Sequence, residues 1–320
     1  MLKFRKQTTT SGLLQAFPIS TKAVISTDLP NNSLEGLTGL IYVTTAKQQK
    51  DKSFFVYDVD QYQIIQIERN VVGDSTIVFL NTNYTTSPQR SSTISGWLQT
   101  QESSTKLYKG IPTDDAELAS THIFSNPFLN ADNKFEFVPT VEKFSLTLDT
   151  FYIRTHLDIR FTIEPVYFDI DLTVTRSYHT TGFYMKSASE RARKVTVLCV
   201  RDTRYNGTTS ANFVGSLPSA SGTVTVQEND GPDHTSMTVT PVNGILGWRT
   251  SHIGSNLTIS SKDSAGGVFF VQYCVSQGQI ISSTTSPNGQ TTVTPQTTTR
   301  SSPGVQVFIV LLTAVLAKVL

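Results

Sequence analysis

The feature that most constrains the fold is the alternation of apolar and polar residues in short runs. Within residues 158–175, β-branched and aromatic side chains alternate with Arg, Thr, Glu and Asp, and related runs occupy 53–59, 62–67 and 75–80. Gly, Pro, Asn and Asp interrupt the chain about every ten residues, and helical periodicity is almost absent. A period of two places one strand face in a core and the other in water. The pattern predicts an all-β chain built from antiparallel β-sandwiches.

The chain has 320 residues, which is room for two domains of ordinary size. Short echoes, such as Ile94-Ser-Gly-Trp97 and Ile245-Leu-Gly-Trp248, indicate two related β-sandwiches. We expect both tryptophans to pack in cores. The predicted organisation is listed here: domain 1 at 18–128, domain 2 at 129–278, a disordered Ser/Thr/Pro-rich linker at 279–304 and a hydrophobic tail at 305–320.

The C-terminal region predicts attachment to a membrane. Residues 282–302 are mostly Ser and Thr, with too little apolar surface to offset the entropy of ordering them, so we expect an extended, solvated tract. The apolar tail that follows is short for a bilayer span, which needs about 20 residues. A glycosylphosphatidylinositol signal attached near Asn288 fits it better. A single transmembrane helix is the alternative.

The N-terminus lacks a recognisable secretory signal. Residues 1–6 are basic, but a polar stretch follows where an apolar core of about 7–15 residues is needed. With the C-terminal tail in view, we expect a protein on the extracellular face of the plasma membrane whose signal peptide is missing from this sequence. A cytosolic protein is the other interpretation.

Two cysteines, Cys199 and Cys274, lie in strand-like runs. An even count in an expected ectodomain favours a disulfide, which would close a loop of about 75 residues and stabilise the fold by about 4 kcal/mol. Two buried free thiols are the alternative. Four sequons permit N-glycosylation, at Asn31, Asn83, Asn206 and Asn256. A net charge of +1 gives no basic field for nucleic acid.

The second half of the chain resembles the CUB domain family. Residues 256–273 resemble its closing hairpin, and residues 200–207 and 213–218 resemble its Asp-Gly and Gly-Ser-x-Pro turns. The usual four cysteines are reduced to two, and the usual acidic calcium constellation is not recognisable. In these departures the chain resembles the divergent CUB-like proteins of nematodes. This resemblance implies jelly-roll sandwiches, a secreted or surface-anchored location and a role in innate immunity or stress responses.

No motif for catalysis, a metal or a cofactor is present. The five histidines are scattered, at His122, His156, His179, His234 and His252. Residues 228–234 concentrate oxygen ligands that suit Ca²⁺, but the same composition is typical of a hairpin turn, which we favour. We therefore expect no enzyme. The prediction is a cell-surface recognition or display protein, with a protein or carbohydrate ligand. The alternatives are a single-pass adhesin or receptor, and a secreted hydrolase that gathers a histidine with a carboxylate or serine.

Overall fold

The protein is described by a computed structural model. It describes the following residues: 13–14, 42–68, 73–82, 90–113, 122–168, 172–174, 179–186, 194–199, 204–216, 224–230, 233–239, 243–261, 268–285 and 291–295. The chain divides into two compact units, residues 1–278 and residues 279–320. Predictions that fall on other residues, including the tail at 305–320, lie outside the described part.

Almost all of the described structure is β-sheet, which confirms the predicted fold class. Strands are numbered in chain order, and the first two sheets form a sandwich. Sheet I has the order β1 (Phe54–Asp58), β3 (Asp74–Leu80), β11 (Thr150–His156), β5 (Ser104–Lys109) and β6 (His122–Asn126). Sheet II has the order β10 (Phe144–Leu146), β4 (Ser92–Gln99), β12 (Ile159–Glu164) and β2 (Gln63–Ile67).

The second sandwich is built from two five-stranded sheets. Sheet III has the order β13 (Leu172–Val174), β15 (Lys194–Leu198), β20 (Asn256–Ser261), β17 (Val224–Asp230) and β18 (Asp233–Val239). Sheet IV has the order β19 (Asn243–Arg249), β16 (Thr208–Ser216), β21 (Phe269–Ser276), β14 (Thr180–Lys186) and β9 (Thr140–Val141). A separate small hairpin joins β7 (Phe128–Leu129) to β8 (Phe135–Glu136).

One short helix, α1 (Ala46–Lys50), occurs in the described part of the chain. It begins with a capping box, because the Thr45 hydroxyl accepts from the Gln48 amide at 3.2 Å and the Gln48 side chain accepts from the Thr45 amide at 2.9 Å. The helix buries no residue, so it contributes little to the core.

In the first sandwich, alternate residues of the strands point into the core. Phe161 of β12 contacts Trp97 and Phe79, with ring centroids 5.5 and 6.0 Å apart. In β2, Gln63, Ile65 and Ile67 are buried while the residues between them are exposed. The alternation read from the sequence therefore corresponds to inward and outward faces here, and the prediction that Trp97 packs in a core is confirmed.

Sheet IV is buried on both faces. Phe269, Val271, Tyr273 and Val275 of β21 pack with sheet III, whereas Phe270 lies in the core of the first sandwich. Phe183 of β14 also enters the first core, 6.1 Å from Phe124. Because successive side chains of a strand point to opposite faces, one strand supplies two cores.

The predicted domain boundary near residue 128 stays a prediction, and the sheets group the strands differently. Strands β10, β11 and β12 follow residue 128, yet they pair with strands β2 to β5 of the first sandwich. The strand β9 belongs to sheet IV, where it pairs in parallel with β14.

Two predictions of local structure are wrong. Residues 256–273 do not form a hairpin, because β20 pairs with β15 and β17 in sheet III, whereas β21 pairs with β14 and β16 in sheet IV. The CUB-like resemblance itself stays a prediction. Within the Ser/Thr-rich tract, the described residues are extended as expected, but β22 (Ile281–Thr285) pairs with β23 (Thr291–Pro295) in an antiparallel hairpin. Threonine is β-branched and favours extended pairing, which composition-based reasoning about disorder does not include.

A buried amide joins the two sandwiches. Gln272 is 2% exposed, and its side chain both accepts from the Ser125 amide at 3.0 Å and donates to the Ser125 carbonyl at 2.7 Å. It also donates to the Thr181 hydroxyl at 3.1 Å. The side chain therefore hydrogen-bonds to β6 as a neighbouring strand would, and it satisfies backbone groups that no water reaches.

We predict that Gln272→Leu lowers the free energy of unfolding by about 2–4 kcal/mol, because it leaves the Ser125 N–H and C=O buried without partners. Urea denaturation of the full chain measures this. Gln101→Leu is the matched control, since Gln101 is exposed in a turn and its loss should change stability by less than about 0.5 kcal/mol. Equal effects of the two substitutions would contradict a stabilising role for Gln272.

Candidate functional site

Histidine, carboxylate and serine side chains meet at one place in the described structure. Glu136 of β8 accepts a hydrogen bond from the Ser276 hydroxyl at the end of β21, and its carboxylate lies 3.3 Å from His179 Nε2. The other histidines lie elsewhere. His156 pairs with exposed Asp74 at 2.9 Å, and His122 hydrogen-bonds within its own strand to the Phe124 carbonyl.

The order of these groups differs from that of a hydrolytic triad. In a triad the histidine lies between the nucleophile and the carboxylate, so that it can accept the proton of the nucleophile. Here Glu136 lies between Ser276 and His179. The arrangement holds the β7–β8 hairpin against sheet IV, together with an ion pair between Asp132 of that hairpin and Arg249 of β19.

The segment 228–234 forms the predicted hairpin. Strands β17 and β18 pair from Val224 opposite Val239 to Asp230 opposite Asp233. Glu228 points inward and is 2% exposed, accepting from the Thr209 hydroxyl at 2.6 Å and from the Gly254 amide. Among the residues that the structure describes, no cluster of three or more His, Cys, Asp or Glu side chains is suited to a metal ion.

The predicted disulfide is wrong, because both cysteines are free and buried. Cys199 lies in the core between sheets III and IV, whereas Cys274 contacts Phe128 and Val138 on the opposite face of sheet IV. The sheet therefore separates the two sulfurs. Burial, with a contribution from the charge of Glu228, raises the pKa of the Cys199 thiol to about 12. Burial also raises the pKa of Cys274 well above its usual value. Both thiols are unreactive in the folded protein.

The described sequons lie in the second sandwich. Asn206 is exposed just before β16. Asn256 begins β20 opposite Leu198, and its side-chain oxygen accepts from the side-chain amide nitrogen of Asn229 at 2.7 Å. Asn31, Asn83 and the attachment candidate Asn288 lie outside the described residues. Glycosylation at all four sequons stays a prediction.

The outer face of sheet II is the candidate functional surface. Thr162 of β12 lies opposite Ile64 of β2 and Ser95 of β4, and Arg160 lies opposite Gln66 and Leu98. These pairs form two rows across the sheet. Leu98 is 60% exposed and Ile64 is 47% exposed, so two large apolar side chains are in contact with water on the same face.

Residues 166–168 extend this face beyond the edge strand β10. The Ser145 hydroxyl accepts from the Phe168 amide at 2.8 Å, and the Thr93 hydroxyl donates to the Val166 carbonyl at 2.6 Å. Val166, Tyr167 and Phe168 are each about two-fifths exposed. The Lys143 ammonium lies 4.5 Å from the Phe168 ring centroid, a cation–π contact that orients the ring.

A shallow cleft of about 340 Å³ lies at the opposite end of the same face. Its lining includes Leu98, Arg160, Glu68 and Asp158. The outer face of sheet II thus carries Leu98 and Ile64 on the two strands that flank β12, with Thr162 and Arg160 of β12 between them. A surface of this kind can bind a partner through both apolar burial and polar contacts.

The outer faces of the other sheets are mostly covered or polar. On sheet I, Val78, Tyr108 and Tyr152 are buried beneath a cluster that includes Leu14 and Tyr42. Sheet IV packs against another layer on both sides, although Leu246 of β19 is 36% exposed. On sheet III, alternation with the buried valines directs Thr196, Thr225, Gln227 and Thr258 outward, together with Leu198, which is 38% exposed. Among the described residues of sheets I to IV, the two most exposed large apolar side chains, Leu98 and Ile64, lie on sheet II. Sequence reasoning missed this surface, although the alternation within 62–67 already placed Ile64 opposite the core face.

The contacts of Glu136 with His179 and Ser276 make the free energy of unfolding depend on pH. The hydrogen bond from His179, followed by that from Ser276, holds the pKa of Glu136 below its usual value near 4.5, although partial burial opposes this. Because the carboxyl pKa is lower in the folded state than in the unfolded state, ionised Glu136 stabilises the fold above about pH 4.3. That contribution is lost as pH falls through the folded-state pKa.

We predict that the wild-type chain loses more free energy of unfolding between pH 5 and pH 3 than the Glu136→Gln variant does. Urea denaturation at several pH values measures the difference. Glu102→Gln, at an exposed turn, should keep the wild-type pH dependence. A Glu136→Gln variant with an unchanged pH profile would contradict the assignment.

Comparisons with known proteins add the following. Curated proteins include no match to this chain. Among solved structures, the chain has limited similarity to a β-porphyranase of glycoside hydrolase family 86 from the human gut bacterium Bacteroides plebeius, with 7% identity and a TM-score of 0.15. That comparison covers 69% of this chain and 36% of the enzyme, so the chain spans about a third of the enzyme's length.

The family comparison covers almost the entire sequence. A family model described as a transmembrane glycoprotein matches residues 1–316. No helix among the described residues has both the length and the apolar character needed to cross a bilayer. The match includes most of the tail at 305–320. Because it spans far more than half of the sequence, the chain belongs to this transmembrane glycoprotein family.

Proposed function

We propose that this chain is a non-enzymatic protein displayed at the cell surface, which binds a protein ligand through the outer face of sheet II. The observation that carries the proposal is the exposure of Leu98 and Ile64 on a sheet whose opposite face forms a core. Large apolar side chains grouped on one face mark interaction sites, whereas single exposed ones need no explanation.

The composition of the face favours a protein ligand. Leu98 and Ile64 are aliphatic, and Thr162 and Gln66 lie between and beside them with Arg160. Aliphatic side chains with threonine, glutamine and arginine between and beside them are a composition found at non-obligate protein interfaces. The two sequons in the described residues lie on the other sandwich, so glycans at Asn206 and Asn256 would leave this face open.

The absence of enzymatic activity is part of the proposal. Its support is the geometry at Glu136, where the carboxylate lies between His179 and Ser276 and joins a hairpin to sheet IV. A histidine in this position cannot accept the proton of Ser276 without displacing the carboxylate. The groups therefore suit a structural role.

A photo-crosslinking experiment tests the recognition face. The full chain, behind a known signal peptide, is displayed on animal cells with a photoreactive phenylalanine analogue replacing Leu98. We expect a discrete adduct that protease digests and glycosidases leave intact. The same analogue at Ile111 is the matched control, because Ile111 is 46% exposed and lies after β5 of sheet I. Adding Arg160→Glu to the chain that carries the photoreactive analogue at position 98 should reduce the yield of the adduct.

Adducts of equal yield at positions 98 and 111 would contradict a specific face. An adduct that glycosidases remove would replace the protein ligand with a carbohydrate. Surface staining of each variant confirms that the chains fold and reach the membrane.

We further propose that the apolar tail at 305–320 holds the chain in the membrane as a transmembrane segment. The description of the family supports this mode over a lipid anchor at Asn288. Lys318 near the end of the tail is compatible with a span, because a lysine side chain can extend to the headgroup region.

Treatment of displaying cells with phosphatidylinositol-specific phospholipase C distinguishes the two modes. We expect the chain to stay on the cells while a known lipid-anchored protein on the same cells is released. Release of the chain into the medium would instead support cleavage near Asn288 and a lipid anchor.

A further inference from the structure

Within the described residues, the sheets of the first sandwich end in four edge strands, and three of these have further contacts along the edge. On β1, Leu13 bridges to Tyr57, and the Leu14 amide donates to the Val56 carbonyl at 2.8 Å. On β6, the Gln272 side chain bonds to both backbone groups of Ser125. On β10, the Ser145 side chain holds residues 166–168 alongside.

The fourth edge strand, β2, pairs only with β12 within the described part of the chain. In an antiparallel ladder, alternate residues of an edge strand direct their N–H and C=O groups away from the neighbouring strand. The outer edge of β2 therefore offers backbone donors and acceptors to a further strand.

The sequence of β2 lacks the features that normally prevent such pairing. Natural edge strands carry lysines, prolines or bulges. Residues 62–67 read Tyr-Gln-Ile-Ile-Gln-Ile, with no charge and no proline, and the β2–β12 register has no bulge. Tyr62, at 58% exposure, and Ile64 add apolar surface beside the edge. This edge is competent for strand addition.

We propose that β2 pairs with β2 of a second copy of this chain, antiparallel about a two-fold axis at Ile65. The two four-stranded sheets then form one continuous eight-stranded sheet. An axis perpendicular to the sheet keeps both cores on the same side, so buried residues face buried residues and outer residues face outer residues. At this register Ile65 lies opposite its counterpart, and Ile64 lies opposite Gln66 of the other copy.

Charge and length select this register from its neighbours. An axis at Ile64 would place Asp60 opposite Glu68 of the other copy, and like charges directly opposite each other are destabilising. An axis at Gln66 would pair only three residues of β2 and would place Ile64 opposite Glu68. With the axis at Ile65, all five strand residues pair, and Tyr62 lies opposite Glu68.

The pairing is suited to a membrane rather than to dilute solution. Five residues of strand span about 17 Å, and an edge contact of this size buries less than the roughly 1,000 Å² of a stable interface. Attachment of many copies to one membrane raises their effective concentration, which allows a weak contact to form. The edge and the outer face of sheet II share Ile64, but Leu98 lies two strands from the edge, so substitutions at Leu98 test the face separately from the edge.

Cysteine cross-linking between two tagged chains tests the pairing and its register. One full-length chain carries Ile64→Cys and the other carries Gln66→Cys, and both are displayed on the same cells before mild oxidation. Directly opposed residues have Cβ atoms about 4.5–5.5 Å apart, whereas diagonal ones are about 7–8 Å apart. A disulfide needs Cβ atoms about 3.5–4.5 Å apart. Small movements of the strands can therefore join directly opposed cysteines but not diagonal ones.

We expect a disulfide-linked dimer that contains both tags, and no dimer when either variant is displayed alone. The native Cys199 and Cys274 do not interfere because both are buried. The matched control combines Leu98→Cys with Arg160→Cys chains, which carry cysteines on the same face but away from the edge, and should give no dimer. Dimers from Ile64→Cys alone, or no dimers from the mixture at wild-type surface levels, would overturn the proposal.

Discussion

The structure depends on sheet IV being buried on both faces. Along β21, Phe269, Val271 and Tyr273 complete one core, while Phe270 and Gln272 contact the first sandwich. A sheet enclosed in this way keeps water from the backbone groups beside it, so those groups need a protein partner. The Gln272 side-chain amide supplies that partner for the Ser125 N–H and C=O. This contact helps two sandwiches to share a wall without leaving those groups unsatisfied.

The shared wall also determines which surface remains available. It uses one face of sheet IV to bury the end of the first sandwich, and Leu14 and Tyr42 pack on sheet I. Sheet II is left with a free outer face and, at β2, a free edge in the described structure. A membrane glycoprotein of this family can thus present a surface for a ligand and an edge for a second copy on one sheet. Face and edge meet at Ile64.

Local properties of the chain were predictable, and tertiary relationships were not. The alternation in 62–67 and 158–164 identified β2 and β12, and the core position of Trp97 followed from the usual packing of a large aromatic side chain. The prediction of a disulfide was wrong because the strand-like sequence around Cys199 and Cys274 does not reveal that the two side chains lie on opposite faces of sheet IV. Similarly, alternation shows that Leu98 and Trp97 face opposite ways. It does not show which of the two faces another layer covers.

The most direct test of this account is hydroxyl-radical footprinting of the full-length chain, compared between cells that display it and dilute detergent micelles. The account predicts that Tyr62, Leu98 and Phe168 are oxidised in micelles and protected several-fold at the cell surface, while exposed Ile111 is oxidised equally in both. Equal oxidation of Tyr62, Leu98 and Phe168 in the two settings would show that sheet II stays free at the membrane. That result would contradict its role in recognition.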